Sequence, residues 1–119
     1  MSANLEFSNF AGQDLKGADF ADARLTGANF AGADLRGADF RSALIDGADF
    51  RGAQLGGANF SGVFAAAADF RGATCRYTSF VGATLTDADF RGASLMFADF
   101  GWAVLRDAMF DGAGLLNAS

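Results

Sequence analysis

Histidine and proline are absent from this sequence, cysteine occurs once, and no run of about 18 apolar residues is present. Without histidine there is no imidazole to act as base or metal ligand, and without proline there is no proline-rich tail. Cys75 has no second cysteine to pair with, so an intramolecular disulfide is excluded and a reducing compartment suits the chain. No basic start leading into an apolar stretch opens the sequence, which makes a cytoplasmic protein with no membrane association the expectation. Positive charge is also scarce. Nine basic residues against fourteen acidic ones leave a net charge of -5, which disfavours direct binding of nucleic acid.

Alanine, glycine and phenylalanine fill the space these absences leave, with 16 glycines and 14 phenylalanines in 119 residues. Such a bias signals internal repetition, and the length suits one domain over residues 1–119. Phenylalanine stands at every tenth position from Phe10 to Phe110, and midway between come Leu5, Leu15, Leu25, Leu35, Ile45, Leu55, Ala65, Cys75, Leu85, Leu95, Leu105 and Leu115. An apolar residue, large at all but Ala65 and Cys75, therefore recurs every five, at what is called here the central position. Two residues before each centre, alanine fills 20 of 24 places, the exceptions being Ser8, Gln13, Val63 and Thr78. Two residues after each centre, 13 of 23 places are glycine, and Asp22, Ser42, Asp87, Asp107 and Asn117 are further turn formers.

A period of five places no stable stripe on a helix, and glycine at this density would cost a helix about 1 kcal/mol at each occurrence. Within one repeat the alanine and the centre are two apart, as in a short extended segment whose alternate side chains share a face. Short segments separated by turns describe a coil stacked on itself as a parallel β-helix. Three sides would alternate phenylalanine with leucine up each wall. Four sides, twenty residues, is the smallest even closed figure that stacks like on like.

The run resembles the pentapeptide-repeat family, whose pattern is alanine, aspartate or asparagine, leucine or phenylalanine, then two variable residues. Ala18-Asp19-Phe20, Ala28-Asn29-Phe30 and Ala33-Asp34-Leu35 are examples, and the pattern runs from residue 3 to residue 119. The resemblance implies an all-β fold, a right-handed quadrilateral parallel β-helix, here of about six four-sided coils.

No arrangement for conventional catalysis is visible, and no enzymatic activity, cofactor or metal is expected. Cys75 occupies a central, inward place and reads as core filler. Gly112-Ala113-Gly114 is a fragment of a dinucleotide-binding glycine pattern, and Lys16 lies in no phosphate-binding loop. The aspartates that precede phenylalanine point outward and can bond nearby backbone, a structural role. Asp49, Asp69 and Asp89 should form one ladder beside Arg51, Arg71 and Arg91, giving a wall of mixed charge.

Departures from the pattern mark candidate contact surfaces. Tyr77 and Phe97 are twenty apart and should stack on one corner, with Trp102 on the next and Val81 and Met96 nearby, a partly apolar patch suited to a protein partner. Because Phe97 and Trp102 resist the positive φ that glycine tolerates, two kinds of turn are expected along the rod. At Phe64-Ala65 a large residue falls at an outward place and a small one at a centre, so either the wall thins or the register shifts. Leu105, Phe110, Leu115 and Leu116 lie near the last coil, and an uncovered coil end invites another chain, so they are the expected homodimer interface.

The leading functional expectation is a noncatalytic structural or protein-interaction solenoid. The alternative, implied by the resemblance, is an acidic mimic of DNA that binds bacterial DNA gyrase or a related topoisomerase and confers quinolone protection. An ice-binding array is not supported, since Thr74, Thr78, Thr84 and Thr86 are scattered.

Overall fold

A computed structural model describes residues 3–119 as a rod with principal extents of 35 × 25 × 19 Å. Every bridge joins a residue to the one twenty further on, in parallel, from Asn4↔Arg24 to Ser94↔Gly114. A turn falls every five residues, so each circuit of twenty has four sides. The sides are too short to form extended strands; one bridge residue represents each. For reference below they are named by their first central residues: the Leu5, Phe10, Leu15 and Phe20 walls.

The repeat containing Phe30 shows how five residues satisfy their own backbone. Phe30 N–H donates to the Asp49 carbonyl at 2.7 Å, Gly32 N–H to Arg51 at 2.9 Å, and Asp34 N–H to Gln13 at 2.9 Å, which ties this coil to both neighbours. Ala33 N–H closes the turn on the Phe30 carbonyl at 3.0 Å. The remaining donor, Ala31 N–H, points away from the ladder and is taken by Asn29 Oδ1 at 2.9 Å. Asp19, Asp49, Asn59 and Asp89 do the same for the residue two ahead. The aspartate or asparagine of the motif thus supplies an acceptor for the one N–H per repeat that the coil leaves over.

All 23 corner residues have positive φ, glycine and non-glycine alike, between 55° and 72°. The expectation of two turn types is therefore overturned: Phe97 (59°) and Trp102 (60°) turn as the glycines do. A positive φ at the second inner residue, closed by an N–H to C=O bond three residues apart, is the type II pattern. At Phe97 bonds to both neighbouring coils hold the bulky residue in a conformation it would not choose alone, Tyr77 N–H donating to the Met96 carbonyl at 3.1 Å and Phe97 N–H to the Leu116 carbonyl at 3.0 Å; at Trp102 the bonds run to the preceding coil, Gly82 N–H to the Gly101 carbonyl and Val104 N–H to the Ala83 carbonyl.

Inside, the rings of the Phe10 and Phe20 walls stack up each wall with centroids 4.6–5.2 Å apart. Rings from the two walls also meet edge to face, as Phe40 and Phe50 do at 5.6 Å and 81°. Both geometries suit the ring quadrupole. The Phe64 question has a clear answer. Phe64 bridges Leu44 and Thr84 in unbroken register with its side chain outward and half exposed, while Ala65 is fully buried. The wall thins, and Val63, fully buried where alanine usually stands, adds volume two residues away. Likewise Thr78 replaces an alanine beside the short centre Cys75, and its hydroxyl donates to the Leu55 carbonyl at 2.7 Å.

Candidate functional site

Each wall presents two outward columns, one from the residue before the centre and one from the residue after it, so each column advances by twenty in sequence. Over the middle coils of the Phe10 wall, residues 49–91, these columns are aspartate and arginine, between Asn9, Ala11, Asn29 and Ala31 on one side and Met109 and Asp111 on the other. Arg51, Arg71 and Arg91 each grip the aspartate two residues back through both Nε and Nη2 at 2.6–3.1 Å. Between coils, Arg51 Nε lies 3.8 Å from Asp69 and Arg71 Nε 3.6 Å from Asp89. The guanidinium bonds hold the Asp49 and Asp89 carboxyls below their ordinary value, against the opposing pull of desolvation. Arg36 lowers Asp34 to about 2 in the same way. From Asp49 to Arg91 this wall is a neutralised ladder, not a stripe of free negative charge.

Tyr77 and Phe97 stack on one corner with centroids 4.8 Å apart and planes within 4°. The Arg76 guanidinium lies 5.6 Å from the Tyr77 ring and 5.9 Å from the Phe97 ring, within cation–π range of both. Met96 stands one coil beyond Arg76 in the same outward column, with Leu116 beyond it; Tyr77 N–H donates to the Met96 carbonyl at 3.1 Å. Tyr77 is 58% exposed, while Phe97, Met96 and Val81 are half-buried. Val81 lies across the corner on the Phe20 wall, and Trp102, 94% exposed, projects from the far edge of that wall. Of the predicted residues, Tyr77, Met96 and Phe97 thus lie together beside Arg76, with Val81 and Trp102 at the margin. Arg76 had not been singled out; its place directly before a corner aromatic was the available signal.

At the carboxyl-terminal coil, Phe100, Leu105, Phe110, Leu115 and Ala118 line an open apolar depression of about 330 Å³. Leu105, Phe110 and Leu115 meet there. Leu116 does not line it: it follows a centre and therefore faces sideways, in the column above Met96. A further feature that sequence reasoning passed over is Phe7, whose ring lies against Gly27 so closely that a Cβ there would sit 2.5 Å from it.

Cys75 is fully buried, and desolvation pushes its thiol up to about 12. Among the described residues no cluster of acidic or thiol groups is arranged to hold a metal ion, and no helix is long and apolar enough to cross a membrane.

Twenty-residue circuits, four turns per circuit and a ladder of single bridges define a solenoid of the parallel β-helix class. The family model "Pentapeptide repeats (8 copies)" matches overlapping segments, 3–41, 23–62, 48–87, 68–107 and 85–119. The chain belongs to the pentapeptide-repeat family, and its fold is that family's right-handed β-helix solenoid. Among solved structures it is similar to the pentapeptide-repeat protein Rfr23 of the cyanobacterium Cyanothece 51142, at 24% identity and a TM-score of 0.54, over 98% of this chain and 84% of that one. A trypsin-treated form of QnrB1, a plasmid-mediated fluoroquinolone resistance protein, is similar at 20% identity and a TM-score of 0.54, over 98% of this chain and 72% of that one. A pentapeptide-repeat protein of the Arabidopsis thaliana thylakoid lumen shares 33% identity over 92% of this chain and 66% of that one, with a TM-score of 0.44. No curated protein has a matching sequence.

Proposed function

We propose that this chain is a noncatalytic interaction solenoid of nearly six four-sided coils that docks a protein partner on the Arg76–Tyr77–Phe97 corner. The observation that carries this reading is two stacked aromatic rings held on left-handed corners with a guanidinium beside them. An L-residue in that conformation costs about 1–2 kcal/mol, and glycine would remove the cost. Rigid aromatic groups beside arginine are the side chains that anchor protein interfaces. A buried Cys75 whose thiol stays protonated and the lack of histidine leave no thiolate or imidazole for catalysis, which favours a noncatalytic reading and suits a cytoplasmic setting. The apolar depression lined by Leu105, Phe110 and Leu115 is the surface for pairing with a second copy in this reading.

The test is quantitative capture from host extract by the wild type and by a Tyr77→Gly, Phe97→Gly variant of equal thermal stability. A partner lost only from the variant supports the corner; identical captured sets contradict it.

A second reading, the DNA mimic of gyrase or a related topoisomerase, draws support from the net charge of -5. It is weakened by the paired Phe10 wall, where carboxylates that would imitate phosphates are occupied by arginine. Titration against gyrase supercoiling, with and without a quinolone and beside an equally acidic unrelated protein, separates the readings. Specific inhibition or drug protection at micromolar protein would favour the mimic, and no effect would remove it for that enzyme.

A further inference from the structure

One wall has an outward face unlike the others. On the Leu5 wall the column before the centres, after Asn4 and Arg24, runs Leu44, Phe64, Thr84, Val104 over the last four coils, each bridged to the next. Phe64 and Val104 are 48% and 49% exposed. The column after the centres starts with Glu6 and Thr26 and, over the same four coils, runs from Asp46 at the level of Leu44 through Ala66 and Thr86 to Arg106 at the level of Val104. The remaining walls carry, in the corresponding places, aspartate, asparagine, serine, threonine or arginine for most of their height.

Asp46 and Arg106 are three coils, about 14 Å, apart, so they cannot reach each other within one chain. Asp46 Oδ1 accepts the Ala66 N–H at 2.8 Å, filling in for the acceptor that Phe64 lacks, and no cation approaches its carboxylate among the described residues. Arg106 is 82% exposed, its nearest carboxylate oxygen being that of Asp107 at 4.0 Å. Two opposite charges therefore flank an apolar stripe, and neither has a close partner.

We infer that the Leu5 wall is a self-association face on which a second copy packs antiparallel about a two-fold axis. Let that axis lie in the face and run along the short extended segments. Coil height is then reversed while position along the segment is kept. Leu44 of one copy faces Val104 of the other, Phe64 faces Thr84, and Asp46 faces Arg106. Each pairing occurs twice, as an isologous contact requires. The corners follow the same rule: Trp102 comes over Ser42, Asp107 over Gly47 and Asp87 over Ala67. No like charges are brought together, and the most exposed aromatic side chain gains a surface to cover.

This face is lateral and separate from the depression at the carboxyl-terminal coil. It is also small. Four coils of one wall fall below the roughly 600 Å² per partner that marks the low end of specific interfaces, so the dimer is weak, with dissociation in the micromolar range or above.

Sedimentation equilibrium of the whole chain from about 10 μM to about 500 μM tests the inference. Wild type should show a reversible monomer–dimer equilibrium. Arg106→Asp, which removes no hydrogen bond of the fold, should raise the dissociation constant about fivefold or more, because two attractive pairs become repulsive. Asp46→Asn keeps the acceptor for Ala66 and should weaken the dimer in the same direction. The double variant Asp46→Lys, Arg106→Asp should restore affinity to within about twofold if it folds; the single variants decide the matter if it does not. Leu115→Ser should leave this equilibrium unchanged. A monomer throughout the range, or a dimer indifferent to Arg106→Asp, would overturn the inference, and a dimer lost with Leu115→Ser would assign it to the coil end instead.

Discussion

The Tyr77 ring lies 4.8 Å above that of Phe97, within 4° of parallel, on two corners that share left-handed backbone. Trp102 has the same backbone at φ 60° and is 94% exposed. Relief of left-handed strain, about 1–2 kcal/mol, is partly offset by glycine's greater freedom in the unfolded chain, about 0.4–1 kcal/mol. Trp102→Gly should therefore stabilise the monomer slightly. Phe97→Gly forfeits in addition a stack worth about 0.5–1.5 kcal/mol and should be neutral or destabilising. Urea unfolding at low protein concentration compares the two, and a larger gain from Phe97→Gly than from Trp102→Gly would refute the ordering.

Phe50 sits between Phe30 and Phe70 at 5.0 Å from each and meets Phe40 and Phe60 edge-on. The bonded coils above and below cannot close on the gap, so Phe50→Ala is expected to cost about 3–5 kcal/mol. Equilibrium denaturation measures this; a loss near 1 kcal/mol would show that the coils relax.

Asn29 offers its side-chain oxygen to the Ala31 N–H, which has no backbone acceptor. Asn29→Ala should cost about 1 kcal/mol, whereas Asn29→Asp, which keeps the acceptor, should cost little. Equal losses from both would show that the hydrogen bond is not what the position requires.

Acid should weaken the rod through its aspartate–arginine pairs. Bonds to Arg36, Arg41, Arg51 and Arg91 lower the pKa values of Asp34, Asp39, Asp49 and Asp89 in the fold, to about 2 at Asp34. Groups lowered on folding contribute stability that is present above their unfolded value, near 3.8, and is lost as pH falls through the folded values. Urea midpoints should be level down to about pH 4 and decline below it, less steeply in Asp49→Asn. A midpoint unchanged at pH 2 would mean the pairs contribute nothing.

Much of this architecture was legible because packing repeats every five residues and stacking every twenty. Phe10 through Phe110 and the alanines two before each centre announce the walls, and Asp49 beside Arg51 announces the neutral ladder. Turn geometry was not legible at Phe97 and Trp102. Intrinsic preference argued for a second turn type, but bonds to the coils on both sides of Phe97, and to the preceding coil at Trp102, outweigh a cost of about 1–2 kcal/mol. At Phe64 periodicity and hydrophobicity disagreed, and the ladder bonds through Leu44 and Thr84 decided for periodicity. The place of Arg76 before a corner aromatic was legible, but its approach to the Phe97 ring depends on side-chain direction, which the repeat does not encode.

The most direct test of the docking corner is photo-crosslinking in the host cell, with a photoreactive phenylalanine analogue replacing Phe97 in one version and exposed Ala11, on the Phe10 wall, in another. A discrete protein adduct from position 97 and none from position 11 is the predicted result. The same adducts from both positions, or none from position 97 at full incorporation, would contradict a partner-binding role for this corner.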